Sequence, residues 1–324
     1  PANVDMAKLK SEYLFQIRNA GSYVKSWHIK NLGYILKIGS KAPDTFNFLQ
    51  SSFLGRKLIG FERQPPLLQK KSLSDWWSAC KTNNEDCSTT VWVIVDIFTQ
   101  YYDVSIGQDV LNLLKKCKVN IKVVFPKNSI VAMVSYGLLN EAKNELKILH
   151  SQLNDAAKND LIVGIEPSEV LVWRDEAKSL LNGRLPNVLL FEELLLELDQ
   201  LKVLPKFHAL NTKVWVYEHC HQKSLAETEN VIKSLELIPE LQIEIINGGC
   251  CGMAGEFGYK FPEISDTIAH QSLDNYMSRV GKNDVLVVTG TSCRKQILDI
   301  FSIRSIHWPQ LFNNTIKMKV NIEE

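Results

Sequence analysis

Four cysteines in the last third of the chain, Cys220, Cys250, Cys251 and Cys293, stand among Gly, His and Ser in the stretches HCHQKS, NGGCCGMAGEFGY and GTSCR. Four thiolates delivered by three loops form a sulfur donor set suited to zinc or to an iron–sulfur cluster. Neighbouring side chains diverge, so one small ion uses Cys250 and Cys251 together with difficulty, and a group of several metal atoms uses them more readily. Gly252, Gly255 and Gly258, with Gly248 and Gly249 before them, would let the backbone approach a bulky cofactor, whose sulfide could accept from N–H groups at the next helix start. The plainer alternative is a tight glycine turn with two buried free thiols. His219 and His221 flank Cys220 on the opposite side of an extended chain. There they could hydrogen-bond sulfur, replace a thiolate or move protons, although a histidine is more often a satisfied polar residue than a ligand. Lys223 and Arg294 lie beside the cysteine loops and complete the candidates for a catalytic role, since a cation there lowers thiolate pKa or holds a carboxylate. Ordinary surface charge is the equal alternative for both.

These side chains need a frame. The chain has 324 residues, 45% hydrophobic and 23% charged, enough for about two ordinary domains with a real core. A net charge of +1 leaves no electrostatic footprint for nucleic acid. No apolar run reaches the roughly 18–20 residues needed to span a bilayer. The N-terminal PANVDMAKLKSEYL lacks a basic-then-apolar leader, and Pro1 with Asp5 begins a helix so abruptly that the chain reads as a piece of something longer. Without a leader, a metal or redox site in the reducing cytoplasm is a stronger reading of seven cysteines than a disulfide framework. Cys80, Cys87 and Cys117 have no spacing that suggests a site.

Residues 1–87 read as a helical N-terminal segment ending in a polar linker. From Val91 the pattern changes: VWVIVDIF, VNIKVVFP and DLIVGIEP read as buried strands separated by helical stretches, as in a parallel sheet with helices on its faces. VWVYEHC, LQIEIING and DVLVVTG then repeat that order. Ile97 pairs with Cys220, Asn128 with Cys250 and Glu169 with Cys293, at separations of 123, 122 and 124 residues. Three anchors agreeing within two residues establish an internal repeat. The expected architecture is therefore α/β: two pseudo-symmetric repeats, 88–205 and 206–324, with parallel sheets flanked by helices, behind the helical segment. Ligands of open parallel sheets bind at the carboxyl ends of strands. All four cysteines fall there, and each faces a non-cysteine (Ile97, Asn128, Ser129 or Glu169) in the first copy. Glu166, Arg174, Asp175 and Glu176, at the first copy's last strand end, read as a structural salt-bridge cluster.

At HCHQKS, GCCGMAGEFGY and GTSCR the sequence resembles the C-terminal cysteine-rich region of FAD-linked iron–sulfur 2-hydroxyacid oxidoreductases, the D-lactate, D-2-hydroxyglutarate and glycolate dehydrogenases. That region is related to the CCG domains of heterodisulfide reductase. DIFTQYYDVSIG, SYGLLNEAK and GIEPSEVLVWRDE resemble the family's first CCG repeat, and PANVDMAKLK the segment after its ferredoxin-type clusters, with Pro1 following a cluster-closing cysteine. The resemblance implies an upstream flavin domain carrying FAD, ferredoxin-like domains in the same polypeptide, and an iron–sulfur cluster, or zinc in its place, on Cys220, Cys250, Cys251 and Cys293. It implies oxidation of a small 2-hydroxy acid, with electrons leaving to a quinone or another redox protein in the cytoplasm or at the inner face of the membrane. On its own the present chain would turn over no hydroxy acid. Two departures stand out. Asn128, Ser129, Ile130 and Val131 occupy the place of a CCGR motif, and EPSE at Glu169 replaces EPSC. Gly290 stands where a fuller motif has a fifth cysteine, and four sulfurs fit a simpler cluster or a single ion.

Overall fold

The computed structural model describes residues 6–19, 26–80 and 87–317. The expectations for Pro1 and Asp5, and for most of the polar linker, lie outside them. Six helices come first: α1 (Met6–Asn19), α2 (Trp27–Lys30), α3 (Leu32–Gly39), α4 (Pro43–Ser51), α5 (Phe53–Ile59) and α6 (Leu73–Ala79). Then follow β1 (Thr90–Ile94), α7 (Ile97–Tyr101), α8 (Val104–Lys116), β2 (Asn120–Val124), α9 (Ile130–Ser135), α10 (Leu139–Gln152), β3 (Leu161–Gly164), α11 (Pro167–Arg174), α12 (Glu176–Leu180), β4 (Val188–Leu189) and α13 (Phe191–Gln200). The order recurs in β5 (Lys213–Tyr217), α14 (Cys220–Leu225), α15 (Thr228–Leu235), β6 (Gln242–Ile245), α16 (Phe257–Lys260), α17 (Pro262–Met277), β7 (Val285–Val288), α18 (Thr291–Phe301) and α19 (Trp308–Lys317).

The two sheets are wholly parallel, in the orders β2-β1-β3-β4 and β6-β5-β7. Val93 pairs with Val123 and Val163; its counterpart Val216 pairs with Ile245 and Val287. The first sheet's fourth strand has a remnant in the second, where a single parallel bridge joins Val287 to Ile306. Even a side-chain detail repeats: Trp92 Nε1 donates to Asp160 (2.8 Å) and Trp215 Nε1 to Asp284 (2.7 Å). The α/β architecture read from the sequence is thus the observed one.

Two local readings change. VWVIVDIF is not one strand; β1 ends at Ile94 because Asp96 caps a new helix, accepting from the N–H groups of Phe98 and Thr99 at 2.9 Å each. In the equivalent place HCHQKS is not extended. Cys220 is the first residue of α14 and His219 its N-cap, so the alternation that set both histidines opposite the thiol does not hold.

The halves cover each other reciprocally. α13, from the first, packs on α15 of the second, and α19 returns to pack on α8. Their apolar faces merge into one core that includes Leu111, Leu114, Leu194, Leu198, Val231, Leu235, Leu311 and Phe312. The N-terminal segment docks on the first half, where the N–H of Gly33 donates to Asn128 Oδ1 (3.2 Å) and a Cβ at Gly33 would lie 1.8 Å from the Lys127 carbonyl oxygen. Phe312 is fully buried, with Phe207 edge-on to it. Phe312→Ala should therefore cost about 3–5 kcal/mol. Urea unfolding should show a lower midpoint at unchanged slope, in one transition that takes both halves together.

Candidate metal centre

Each loop that carries a cysteine leaves the carboxyl end of a strand in the second sheet. After β5 the chain turns through Glu218 and His219 into Cys220. After β6 it runs through Gly248 and Gly249 to Cys250 and Cys251. After β7 it passes Gly290 and enters the first turn of α18, where Cys293 sits. Since β5 lies between β6 and β7, the three loops are neighbours. Cys251 Sγ lies 3.2 Å from Cys293 Sγ, and Cys250 Sγ accepts the Gly252 N–H at 3.3 Å. The thiols of Cys220 and Cys251 donate to the Cys250 sulfur and hold its pKa well below the ordinary thiol value. Donating raises Cys220 and Cys251 correspondingly. The sulfurs therefore form a row, 220–250–251–293. Cys251 and Cys293 are buried, Cys250 is half-buried and Cys220 is exposed at the rim.

A row is not a closed cage. Tetrahedral thiolates on one zinc ion stand ~3.8 Å from one another, given Zn–S of about 2.3 Å. Among the described residues, the group whose ligand atoms all lie within 4.8 Å of one another is Asp175, Glu176 and His221, and no trio of the thiols forms another.

Around the sulfurs the partners are specific. Tyr217, at the end of β5 and 1% exposed, donates its hydroxyl to the Gly249 carbonyl (2.6 Å). Burial and then the four neighbouring thiols push its pKa up. Lys223 Nζ lies 4.6 Å from the centre of the Tyr217 ring and donates to the carbonyls of Ile246 (3.0 Å) and Gly248 (3.1 Å). Burial lowers the lysine pKa, while Glu218 and the thiols of Cys293 and Cys220 oppose that shift. His219 is held neutral, with its pKa lowered to about 4 by burial. Its Nδ1 accepts the His221 N–H (3.3 Å), which assigns the ring proton to Nε2. A His221 ring nitrogen lies within 4.8 Å of carboxylate oxygens of Asp175 and Glu176.

Other expectations are redirected. Arg294 is engaged by Asp103 (2.6 Å) and by the carbonyls of Val288 (3.0 Å) and Thr289 (2.9 Å), so it ties the two halves together instead of facing a substrate. The glycines after Cys251 serve packing on α17: at Gly252 (φ +87) a Cβ would lie 2.2 Å from the Ser265 carbonyl oxygen, and at Gly258 it would meet Met253 and Ser265. Gly255 stands in open space. The charged stretch at 166–176 is no single cluster. Arg174 pairs with Glu193, Asp175 with Lys8, and Glu166 crosses to the other half.

That crossing positions Cys293. A Cβ at Gly290, the N-cap of α18, would lie 2.7 Å from the His219 ring and 3.4 Å from Cys293 Sγ, so no capping side chain fits. Glu166 supplies the cap from the first half, accepting from Thr291 N (3.0 Å) and Thr291 Oγ1 (2.9 Å). Sequence reasoning missed Tyr217, the crowding that requires glycine at 290 and this role of Glu166. The available signal was Tyr217, a polar aromatic where the first copy has Ile94.

In the first copy, the place of the Cys251–Cys293 contact is taken by Ser129, whose hydroxyl donates to Glu169. The other Glu169 oxygen accepts from Ile130 N (3.2 Å) and Val131 N (3.4 Å). Asn128 bridges to the Ile29 and Lys30 carbonyls of the N-terminal segment. A cavity of about 20 Å³ lies between Asp96, Asn128 and Glu169, room for one water. Burial raises Glu169 to about 8 and Asp96 to about 6.

In an alignment 280 positions long that covers 80% of this chain, it is 31% identical to D-2-hydroxyglutarate dehydrogenase of Escherichia coli strain K12. The two are homologous. The Pantoea ananatis enzyme of the same name aligns over 281 residues at 27% identity. A subunit of the anaerobic glycerol-3-phosphate dehydrogenase of Escherichia coli K12 aligns at 22% over 77% of this chain and 65% of its own length. The chain spans about a quarter (27%) of the length of those D-2-hydroxyglutarate dehydrogenases. No family model matches, and no solved structure does. Among the described residues no helix is long and apolar enough to cross a membrane.

Two variants test these contacts. Glu166→Ala removes the cap of α18, which should cost about 0.5–2 kcal/mol in a thermal melt and quicken alkylation of Cys293. Glu169 has a folded pKa above its unfolded one, so its contribution is full below about 4.5 and is lost as pH rises towards about 8. Glu169→Gln should flatten the fall in unfolding free energy across that window.

Proposed function

We propose that this chain is the electron-transfer portion of an FAD-linked oxidoreductase acting on a small 2-hydroxy acid, with D-2-hydroxyglutarate, D-lactate and glycolate the candidate substrates. Cys220, Cys250, Cys251 and Cys293 hold an iron–sulfur group in the second half, and zinc is the competing occupant. The observation that carries this reading is the meeting of four thiols from three strand ends, in the copy that alone has them. Homology to D-2-hydroxyglutarate dehydrogenase supports the oxidoreductase class, and homology to one subunit of a second dehydrogenase supports work within a larger assembly. Flavin and ferredoxin-like domains of the same polypeptide are the partners on one side, a quinone or another redox protein on the other. The setting is the cytoplasm or the inner face of the membrane.

An iron–sulfur group on these thiols would supply one-electron transfer between flavin and acceptor. The chain's residues bind and insulate it. Cys251 and Cys293 anchor it inside, and Cys220 leaves one edge at the surface. His219, neutral with its proton on Nε2, acts as a hydrogen-bond donor and not as a ligand. With Tyr217 and Gly290 it excludes water from the buried side. Asp96, Ser129 and Glu169 play no part in metal binding.

The 3.2 Å approach of Cys251 to Cys293 favours a second reading, thiol–disulfide exchange, because a small movement would join the sulfurs. Anaerobic purification separates the two. Stoichiometric iron and acid-labile sulfide with a reducible EPR signal supports the first reading. Metal-free protein with an alkylation-sensitive disulfide reductase activity supports the second, and zinc alone leaves a structural site. Cys250→Ser or Cys251→Ser should abolish iron uptake, while Asn128→Ala and Ser129→Ala should leave it intact. Equal loss from both sets would place the site elsewhere.

A further inference from the structure

The loop that presents Cys250 and Cys251 is gripped from one side by two residues of its neighbours. Three carbonyls just ahead of the cysteine pair are taken: Ile246 and Gly248 by the Lys223 ammonium, and Gly249 by the Tyr217 hydroxyl. The ammonium also lies on the Tyr217 ring at 4.6 Å. The pseudo-symmetric half shows how selective this is. Where the thiol-bearing copy has Tyr217 the other has Ile94, and where it has Lys223 the other has Gln100, which instead donates to Ser74 (3.3 Å). The corresponding loop there runs through Val124, Pro126 and Lys127. Sheet, register and helix starts are duplicated; the grip is not. It accompanies the thiols.

We propose that Lys223 is a positioning residue for the redox group: it fixes the Cys250–Cys251 loop through two carbonyls and places a positive charge on the sulfur-bearing side of the sheet that raises the group's reduction potential. This rests on the iron–sulfur reading above. Arg294, another cation near the sulfurs, is already met by Asp103, so its field is offset close by. Among the described residues, Lys223 has no carboxylate within ion-pair distance, and Glu218 is the acid facing it. Uptake of one electron adds one negative charge to the site without requiring a proton. A nearby ammonium stabilises that charge, and in a half-buried setting the attraction is weakly screened. Tyr217 spaces the ammonium from the sulfurs and holds the third carbonyl.

The test is a dithionite redox titration of the anaerobically purified chain, followed by EPR, with iron and sulfide content measured beside it. Lys223→Met should load iron and show a more negative midpoint potential than wild type, while Lys223→Arg stays near wild type. Tyr217→Phe, which keeps the ammonium but frees the Gly249 carbonyl, should shift the potential less than Lys223→Met. A fully loaded Lys223→Met with an unchanged potential overturns the proposal. If Lys223→Met folds, by its melting curve, but takes up no iron, loading restored in Lys223→Arg supports it and loading absent there too overturns it. Loss of folding in both variants marks a merely structural lysine and also overturns it. Wild-type chain without iron would instead defeat the functional reading itself, and is seen before any variant is made.

Discussion

The helix that carries Cys293 begins on a carboxylate belonging to the other half of the molecule. Its own N-cap has to be Gly290, because His219 and Cys293 crowd the space a side chain would need. Glu166 therefore reaches across to take the free donors of Thr291, and Asp103 reaches across to hold Arg294 one turn on. The position of one thiol thus depends on the joint between two copies of a fold. With Cys251 against Cys293, and Cys250 bound to both its neighbours in the row, that constraint passes to the whole sulfur set.

The two copies show what a parallel sheet fixes and what it leaves free. Strand order, register and the helix starts at Ile97 and Cys220 recur in both. A pair of side chains able to hydrogen-bond meets across the second and third strand ends each time. In one copy the pair is two thiols; in the other it is a hydroxyl and a carboxyl group. A soft donor set can offer metal ligation there, whereas the hydroxyl–carboxyl pair closes on itself and on backbone N–H groups. The first copy's loop is also occupied by the N-terminal segment, which binds Asn128. One copy's strand ends are closed by its own contacts and by the N-terminal segment; the other's carry free thiols.

Much of this was legible in the residues. Val91–Val95 and Val214–Tyr217 are apolar without alternation, as strands buried on both faces must be, and the offsets between copies survive in the register. The convergence of Cys220, Cys250, Cys251 and Cys293 could be read because strand ends of a parallel sheet share an edge. What could not be read was set by tertiary contact. Asp96 stops a strand that its neighbours would continue, and His219 starts a helix in a stretch with no helical period. Arg294 looked like a cation for a thiolate until Asp103, 191 positions away, proved to hold it. Glu166 looked like one member of a structural salt-bridge cluster, since nothing in its own surroundings points to Thr291. The glycines after Cys251 implied room for a cofactor, yet Gly252 and Gly258 are small because α17 is close.

The exchange of terminal helices carries its own consequence. Each half ends in a helix that shields the other half, α13 over α15 and α19 over α8. Severed at the joint, each half would bare an apolar helix face that the other now covers, on α8 in the first and on α15 in the second. The single polypeptide is in effect a pair of like units tied end to end, each closed over by a helix of the other.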